Sequence, residues 1–183
     1  MIDKQQLLKR FPSARRRAGF FRLEKSEHMN IPIDTIRQGL ALLPAKMAGC
    51  RAMTMIIAIG LQESGFLVRR QYGNGPARGF WQFERDGGVK GVMEHSATTS
   101  YAAAICLQRG VPFERAKVWA ALETDDVLAV VFARLLLWSD PKPLPAVTEP
   151  SAAWSLYART WRPGKPHPDK WPECHAHALT VLA

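Results

Sequence analysis

The chain has 183 residues, of which 47% are hydrophobic, so it is long enough for one globular domain with its own core and too short for two full domains. Its formal charge of +9 at pH 7 favours an anionic partner such as nucleic acid, a lipid surface or the bacterial cell wall. The three cysteines, Cys50, Cys106 and Cys174, are widely spaced, which predicts buried thiols in a reducing compartment and no disulfide framework.

Residues 1 to 30 form a polar, basic N-terminal extension that contains the run Arg15, Arg16 and Arg17. We interpret this run as a solvated face, because no nucleic-acid recognition motif accompanies it. The extension lacks the continuous apolar stretch of a secretory signal, so we expect synthesis in the cytoplasm without a signal peptide. The most apolar segment is shorter than the roughly 20 residues of a membrane span and contains Arg134, so no transmembrane segment is expected.

The remainder, residues 31 to 183, is predicted to be a single all-α domain, because no stretch alternates apolar and polar residues as a strand would. The first helix is expected to end near Pro44. The second, residues 45 to 64, is apolar on most sides and is therefore predicted to be the central buried helix. A glycine-rich loop follows, and then a short helix at residues 89 to 95 and a longer one that ends on Gly110.

Four further helices are expected in the second half of the chain. Pro112 is suited to the first position of a helix. Thr124 is predicted to be the N-cap of a strongly apolar helix, whose two aspartates in the first turn match the positive end of the helix dipole. A proline-rich linker then leads to two final helices, at residues 151 to 161 and 169 to 182.

Glu63 is the residue of greatest chemical interest, because it ends an apolar stripe of the predicted central helix. The apolar residues that precede it on the same helical face are Ala52, Ile56 and Ile59. A carboxyl group at the mouth of an apolar site is costly to ionise, so its pKa rises and it can hold a proton near neutral pH, as a general acid must. The alternative is that Glu63 points to water or pairs with Arg69 or Arg70.

The loop after Glu63 has the composition needed to reverse the chain. Glycines at three positions and Pro76 permit such a turn, which would return the segment "GFWQFE" over the end of the Glu63 helix. There the amide of Gln82 and flat apolar rings would be available to hold a sugar. The aromatic residues predicted to do so are Phe80, Trp81 and Phe83.

The sequence "ESGF", followed sixteen residues later by "GFWQF", resembles the lytic transglycosylases and goose-type lysozymes. In that family a Glu-Ser pair ends a buried helix ahead of a Gly-Leu-Met-Gln loop. The resemblance implies a lysozyme-like all-α domain that cleaves the glycan strands of peptidoglycan. We expect no cofactor. It also implies that Glu63 is the catalytic acid, that Ser64 is the serine that follows it, and that residues 79 to 82, beginning with Gly79, line the substrate.

A third motif of the family, Ala-Tyr-Asn on a late helix, has a partial counterpart in "AAWSLYARTW". By this resemblance Tyr157 would hold Glu63 or the sugar near it, although the asparagine of the motif is missing here. Phe80 and Trp81 also replace the usual leucine and methionine of the loop. The layout of a small single domain without a signal is similar to that of phage or prophage wall-degrading proteins.

The reaction depends on whether Glu84 acts as a second carboxylate. An inverting hydrolase needs two carboxyl groups about 6.5 to 9.5 Å apart, with water between them. Glu84 lies two residues after Gln82, close to where goose-type lysozymes often place an aspartate, but it also fits an exposed turn. If Glu63 acts alone, the family precedent is attack by the sugar's own 6-hydroxyl, and we favour this transglycosylase reaction over lysozyme-type hydrolysis.

A cluster near the C-terminus is reminiscent of a zinc site. It consists of His167, Cys174, His175 and His177. His175 and His177 follow Cys174 by one and three residues, so the three side chains cannot all face one ion from a regular helix. The sequence therefore predicts no metal.

Two hypotheses from other classes remain open at this stage. One is a catalytically weak glycan-binding or structural phage protein that uses the same groove. The other is a basic nucleic-acid-binding protein, supported only by the arginine-lysine stretch of the extension, and we do not favour it. We expect peptidoglycan as the partner, action at the cell wall, and a monomer.

Overall fold

The computed structural model describes residues 30 to 71, 73 and 75 to 183, so the basic extension lies almost entirely outside the described residues. The described part is mostly helical, in agreement with the all-α prediction. Its helices are α1 (Ile33–Ala41), α2 (Cys50–Glu63), α3 (Lys90–Glu94), α4 (Thr99–Gln108), α5 (Arg115–Ala121), α6 (Asp126–Trp138), α7 (Pro150–Trp161) and α8 (Trp171–Thr180).

The core is built around α2 and α6, which are apolar on nearly all sides. Every residue of α2 from Ala52 to Gln62 is buried, and so is every residue of α6 from Leu128 to Leu137. Helix α2 packs against α6 and α8, while α1 packs against α6. The prediction of a central buried helix ahead of Glu63 is therefore confirmed.

The predicted helix at residues 45 to 64 is divided in two. A 3₁₀ turn at Ala45–Met47 precedes Gly49, whose φ of 103° interrupts the helical path before α2 begins. Cys50 occupies the first turn of α2 and is exposed, so its prediction as a buried thiol is wrong. Cys106 and Cys174 are buried, as expected.

Two helix starts differ from the predictions. Asp125, and not Thr124, is the N-cap of α6, because its Oδ1 accepts a hydrogen bond of 2.9 Å from the backbone N–H of Leu128. Helix α5 begins at Arg115, so Pro112 lies in the turn that precedes this helix and is not its first residue.

A short antiparallel hairpin follows the glycine-rich loop and was not predicted, since strands of two residues give no alternation signal. Strand β1 (Ala77–Arg78) pairs with β2 (Phe83–Glu84). Gly79 begins the turn with a φ of 71°, and a Cβ atom there would lie 2.3 Å from the carbonyl oxygen of Leu122. The turn therefore needs glycine both for its backbone angle and for its close contact with Leu122, the C-cap residue of α5.

Within the ranges that the structure describes, no helix combines the length and the apolar character needed to cross a membrane.

Candidate active site

Glu63 ends α2 at the wall of a large cavity of about 1180 Å³. The cavity is bounded by the end of α2, the loop that follows it, the hairpin, the end of α7 and the first turns of α8. Gln82, Phe83 and Glu84 line it from the hairpin, so the chain reversal predicted for the glycine-rich loop does bring the "GFWQFE" segment to the Glu63 helix.

The carboxyl group of Glu63 is half-buried, and burial raises its pKa from 4.5 to about 7. The hydrogen bond from Tyr157 and the positive charge of Lys170 lower this pKa, and the negative charge of Glu84 raises it, but burial has the largest effect. Glu63 therefore holds a proton in a substantial fraction of molecules at neutral pH.

Tyr157 lies in α7 and its Oη donates a hydrogen bond of 2.6 Å to Oε1 of Glu63. The tyrosine ring is stacked on Trp171 at 5.2 Å between ring centroids and is almost fully buried, so the hydroxyl direction is fixed by packing. Burial and the charge of Glu63 raise the pKa of Tyr157, which keeps the phenol protonated and able to donate. The contact implied by the family resemblance is present without the asparagine of the motif.

Lys170 is a site residue that the sequence did not reveal. Its Nζ donates to the carbonyl oxygens of Leu61 and Gln62, at 2.7 and 2.9 Å, and so neutralises the negative C-terminal end of α2 beside Glu63. The partners are more than a hundred residues apart in the chain, and a lone lysine at the start of a predicted helix carries no signal of such a contact.

Arg69 and Arg70, the alternative partners considered for Glu63, are engaged elsewhere. Arg69 forms an ion pair with Asp126 at the start of α6, and Arg70 forms one with Glu123. These pairs attach the loop after Glu63 to the region around the N-terminus of α6 and leave Tyr157 as the hydrogen-bond partner of the carboxyl group.

Ser64 joins the Glu63 helix to the hairpin turn. Its Oγ donates to the carbonyl oxygen of Phe80 at 2.7 Å and accepts a hydrogen bond of 3.1 Å from the backbone N–H of Phe66. Although Ser64 also lines the cavity, its hydroxyl is thus committed to holding the two segments together.

The expectation that Phe80 and Trp81 present flat faces to a sugar is wrong. Phe80 is 6% exposed and Trp81 is fully buried, and neither lines the cavity. Both rings pack edge-to-face against Phe66, and Trp81 Nε1 donates to the carbonyl oxygen of Ile56 at 2.9 Å. Exposing two such rings would forfeit several kcal/mol of burial, roughly 1.5 to 3 kcal/mol for each, so the turn directs them into the core.

Of the remaining loop residues, Gln82 and Phe83 reach the cavity, whereas Gly79 is buried against Leu122. The amide nitrogen of Gln82 donates to the carbonyl oxygen of Gly79 at 2.9 Å, which orients the side chain. Phe83 is only 1% exposed and contributes little more than an edge to the wall.

Trp161 supplies the aromatic surface that the loop does not. It is half-buried at the end of α7, lines the cavity, and is oriented by a hydrogen bond of 3.0 Å from its Nε1 to the carbonyl oxygen of Trp81. The sequence does not single out Trp161, because its spacing of one helical turn from Tyr157 does not separate a buried ring from one at a cavity edge.

Glu84 is exposed at the end of β2 and lines the same cavity as Glu63. Its charge reaches Glu63, since it raises the pKa of that carboxyl group. Glu94 forms an ion pair with Arg115 and does not line the cavity.

The residues of the suspected zinc cluster point in different directions. Cys174 and His177 line the cavity, while His175 is buried against Trp171. In the described part of the chain, no three His, Cys, Asp or Glu side chains are grouped so that they could hold a metal ion.

Comparison of the chain with models of protein families, with curated proteins and with solved structures gives no match. Its chemistry is therefore inferred from the cavity itself, in which the half-buried carboxyl group of Glu63 is held by Tyr157 and flanked by Lys170 and Glu84.

Proposed function

We propose that the protein cleaves the glycan strands of peptidoglycan, with Glu63 as the general acid. The observation that carries this proposal is the half-buried carboxyl group of Glu63, with a pKa of about 7, on the wall of a cavity large enough for several sugar rings. A carboxylic acid that keeps its proton near neutral pH is the group that protonates a leaving glycosidic oxygen.

Tyr157 decides which oxygen of Glu63 carries the proton. Because its hydroxyl donates to Oε1, the transferable proton belongs on Oε2. As the bond between C1 and the glycosidic oxygen breaks, its electron pair passes to that oxygen, which receives the proton from Oε2. The carboxylate left behind is stabilised by the hydrogen bond from Tyr157 and by the positive charge of Lys170.

The second half of the reaction restores the acid. In the route we favour, the 6-hydroxyl oxygen of the same sugar bonds to C1 and its proton returns to Glu63, which leaves a 1,6-anhydro end and consumes no water. Glu84 lines the same cavity, and in the alternative route it would take a proton from a water molecule whose oxygen bonds to C1, which yields a reducing end, while Glu63 regains its proton from solvent.

We assign the substrate contacts to the exposed side chains that line the cavity. Trp161 offers an indole face, Leu67 is 69% exposed at the cavity, and Gln82 supplies an amide. Sugar rings pack on such apolar surfaces while their hydroxyl groups bond to amides. The formal charge of +9 attracts the protein to the anionic bacterial cell wall.

The products identify the reaction. Purified sacculi are incubated with the protein, and the soluble fragments are analysed by mass spectrometry. Anhydro ends establish the transglycosylase route, and reducing ends with one added water establish hydrolysis, the route to which we assign Glu84 as the second carboxylate. Binding to sacculi without any soluble fragment would overturn the proposal and favour a glycan-binding or structural protein.

A further inference from the structure

The segment between α7 and α8, residues 162 to 170, crosses the C-terminal end of α2, and we call it the connector segment. It is fixed there at two points. Gln62 Nε2 donates to the carbonyl oxygen of His167 at 3.1 Å, and Lys170 Nζ donates to the carbonyl oxygens of Leu61 and Gln62. The connector segment is therefore a positioned part of the cavity wall beside Glu63.

Besides Lys170, two cations of the connector segment line the cavity, Arg162 and Lys165. Arg162 sits at the end of α7 with a φ of 51°, and its Nε donates to the carbonyl oxygen of Arg159 at 3.3 Å. Among the described residues neither side chain forms an ion pair with a carboxylate.

The lack of a carboxylate partner sets Arg162 apart from most arginines of the described ranges. Those that form ion pairs are Arg37, Arg69, Arg70, Arg78, Arg85, Arg109, Arg115 and Arg159. Lys170 also lines the cavity, but its ammonium is committed to the end of α2. Arg162 and Lys165 thus remain to bind an anion from the cavity, where Glu173 is the acidic neighbour on the α8 side.

We propose that Arg162 and Lys165 form a subsite for the carboxylates of the peptide stems attached to the glycan strand. This inference rests on the proposed function, because it takes the cavity to hold the glycan. A guanidinium binds a carboxylate through paired hydrogen bonds and an ammonium adds a mobile positive charge, so the pair suits a flexible acidic peptide. The protein then selects strands that carry stems over bare strands.

The test measures binding, so that it does not depend on cleavage. All proteins carry Glu63→Gln to prevent turnover, and the two ligands are soluble glycan strands with intact stems and the same strands after an amidase has removed the stems. We expect the strands with stems to bind about tenfold more tightly, as two charged contacts would give. The advantage is lost in Arg162→Gln/Lys165→Gln and shrinks at high salt.

A matched control removes the same amount of charge elsewhere. Lys90 and Lys117 are exposed and lie outside the cavity, so Lys90→Gln/Lys117→Gln should retain the tenfold advantage. Equal binding of both ligands, or an advantage that survives Arg162→Gln/Lys165→Gln, would overturn the subsite alone. Failure to bind either strand would overturn both the subsite and the proposed function. Tighter binding of the strands with stems, together with the absence of soluble fragments when the wild type is incubated with sacculi, would support the subsite and reject cleavage.

Discussion

Tyr157 Oη donates a hydrogen bond of 2.6 Å to Oε1 of Glu63 and thereby links helices α7 and α2 across 94 positions of sequence. The tyrosine is held by stacking on Trp171, and the carboxyl group is half-buried at the end of a buried helix. The orientation of the proposed acid is therefore set by the core and not by a surface loop.

Replacing Tyr157 by phenylalanine is expected to raise the pKa of Glu63 further, because burial then acts without the opposing hydrogen bond. The pH above which activity falls should move upward. The rate should drop by about tenfold or more, since a hydrogen bond to a charged group contributes roughly 1.5 to 3 kcal/mol. The pH profile of sacculus cleavage measures both effects.

Tyr101→Phe is the control for this variant. Tyr101 is half-buried on α4 and lies outside the cavity, so its pH profile should match that of the wild type. If activity fell at the same pH in Tyr157→Phe and in the wild type, the result would contradict the assigned role of the tyrosine.

Glu63 should also affect stability, with a definite dependence on pH. Its pKa is about 7 in the folded protein and 4.5 as the ordinary value, so the folded state keeps this proton to higher pH than the unfolded chain. The free energy of unfolding therefore falls as pH rises between these two values, by an amount on the order of 3 kcal/mol that remains lost at higher pH.

Glu63→Gln removes this ionisation and should be more stable than the wild type at about pH 8, with the difference vanishing near pH 4. Urea unfolding at a series of pH values measures it. Glu114→Gln removes an exposed charge outside the cavity, so its free energy of unfolding should depend on pH as that of the wild type does. A stability difference for Glu63→Gln that does not change with pH would argue against burial as the cause of the raised pKa.

Gly79→Ala is expected to destabilise the protein by about 3 kcal/mol or more, because the added Cβ would lie 2.3 Å from a backbone oxygen of Leu122 and the φ of 71° is strained for alanine. Gly110 has a similar φ of 67° but open space around it. Gly110→Ala should therefore cost only about 1 kcal/mol, the backbone contribution alone. Equal losses in thermal or urea unfolding would rule out the contact with Leu122 as the source of the difference.

Ser64→Ala should loosen the junction between α2 and the hairpin, because it deprives the carbonyl oxygen of Phe80 and the N–H of Phe66 of a partner. We expect a loss of stability of about 1 to 3 kcal/mol. Ser155→Ala provides the comparison, since Ser155 is exposed on α7 and its Oγ donates only to the carbonyl oxygen of Ser151. Similar urea midpoints for the two variants would contradict the bridging role of Ser64.

The sequence predicted the elements that depend on helical periodicity. The apolar run before Glu63 correctly indicated a buried helix with a carboxyl group at its end, and the loop composition indicated a return of the chain to that end. Tyr157 was found only through the family resemblance, because nothing in its local sequence points to a partner 94 positions away.

The orientation of the loop side chains could not be read from the sequence. Positive φ angles at Gly79 and Gln82 determine which rings turn inward, and composition does not fix such angles. The composition of the loop therefore predicts Phe80 and Trp81 at the substrate, whereas in the structure Trp161 provides the aromatic surface of the cavity. Lys170 was missed for a related reason, since its contacts with the end of α2 exist only after α8 has packed against that helix.

The rate at which Glu63→Gln cleaves purified sacculi, compared with the wild type at about pH 6, tests the role of Glu63 most directly. The substitution keeps the shape of the side chain and an oxygen that can accept from Tyr157 Oη, but it removes the transferable proton. We predict that wild-type cleavage is lost in Glu63→Gln and retained in Glu114→Gln. Cleavage by Glu63→Gln at the wild-type rate would contradict the assignment of Glu63 as the catalytic acid.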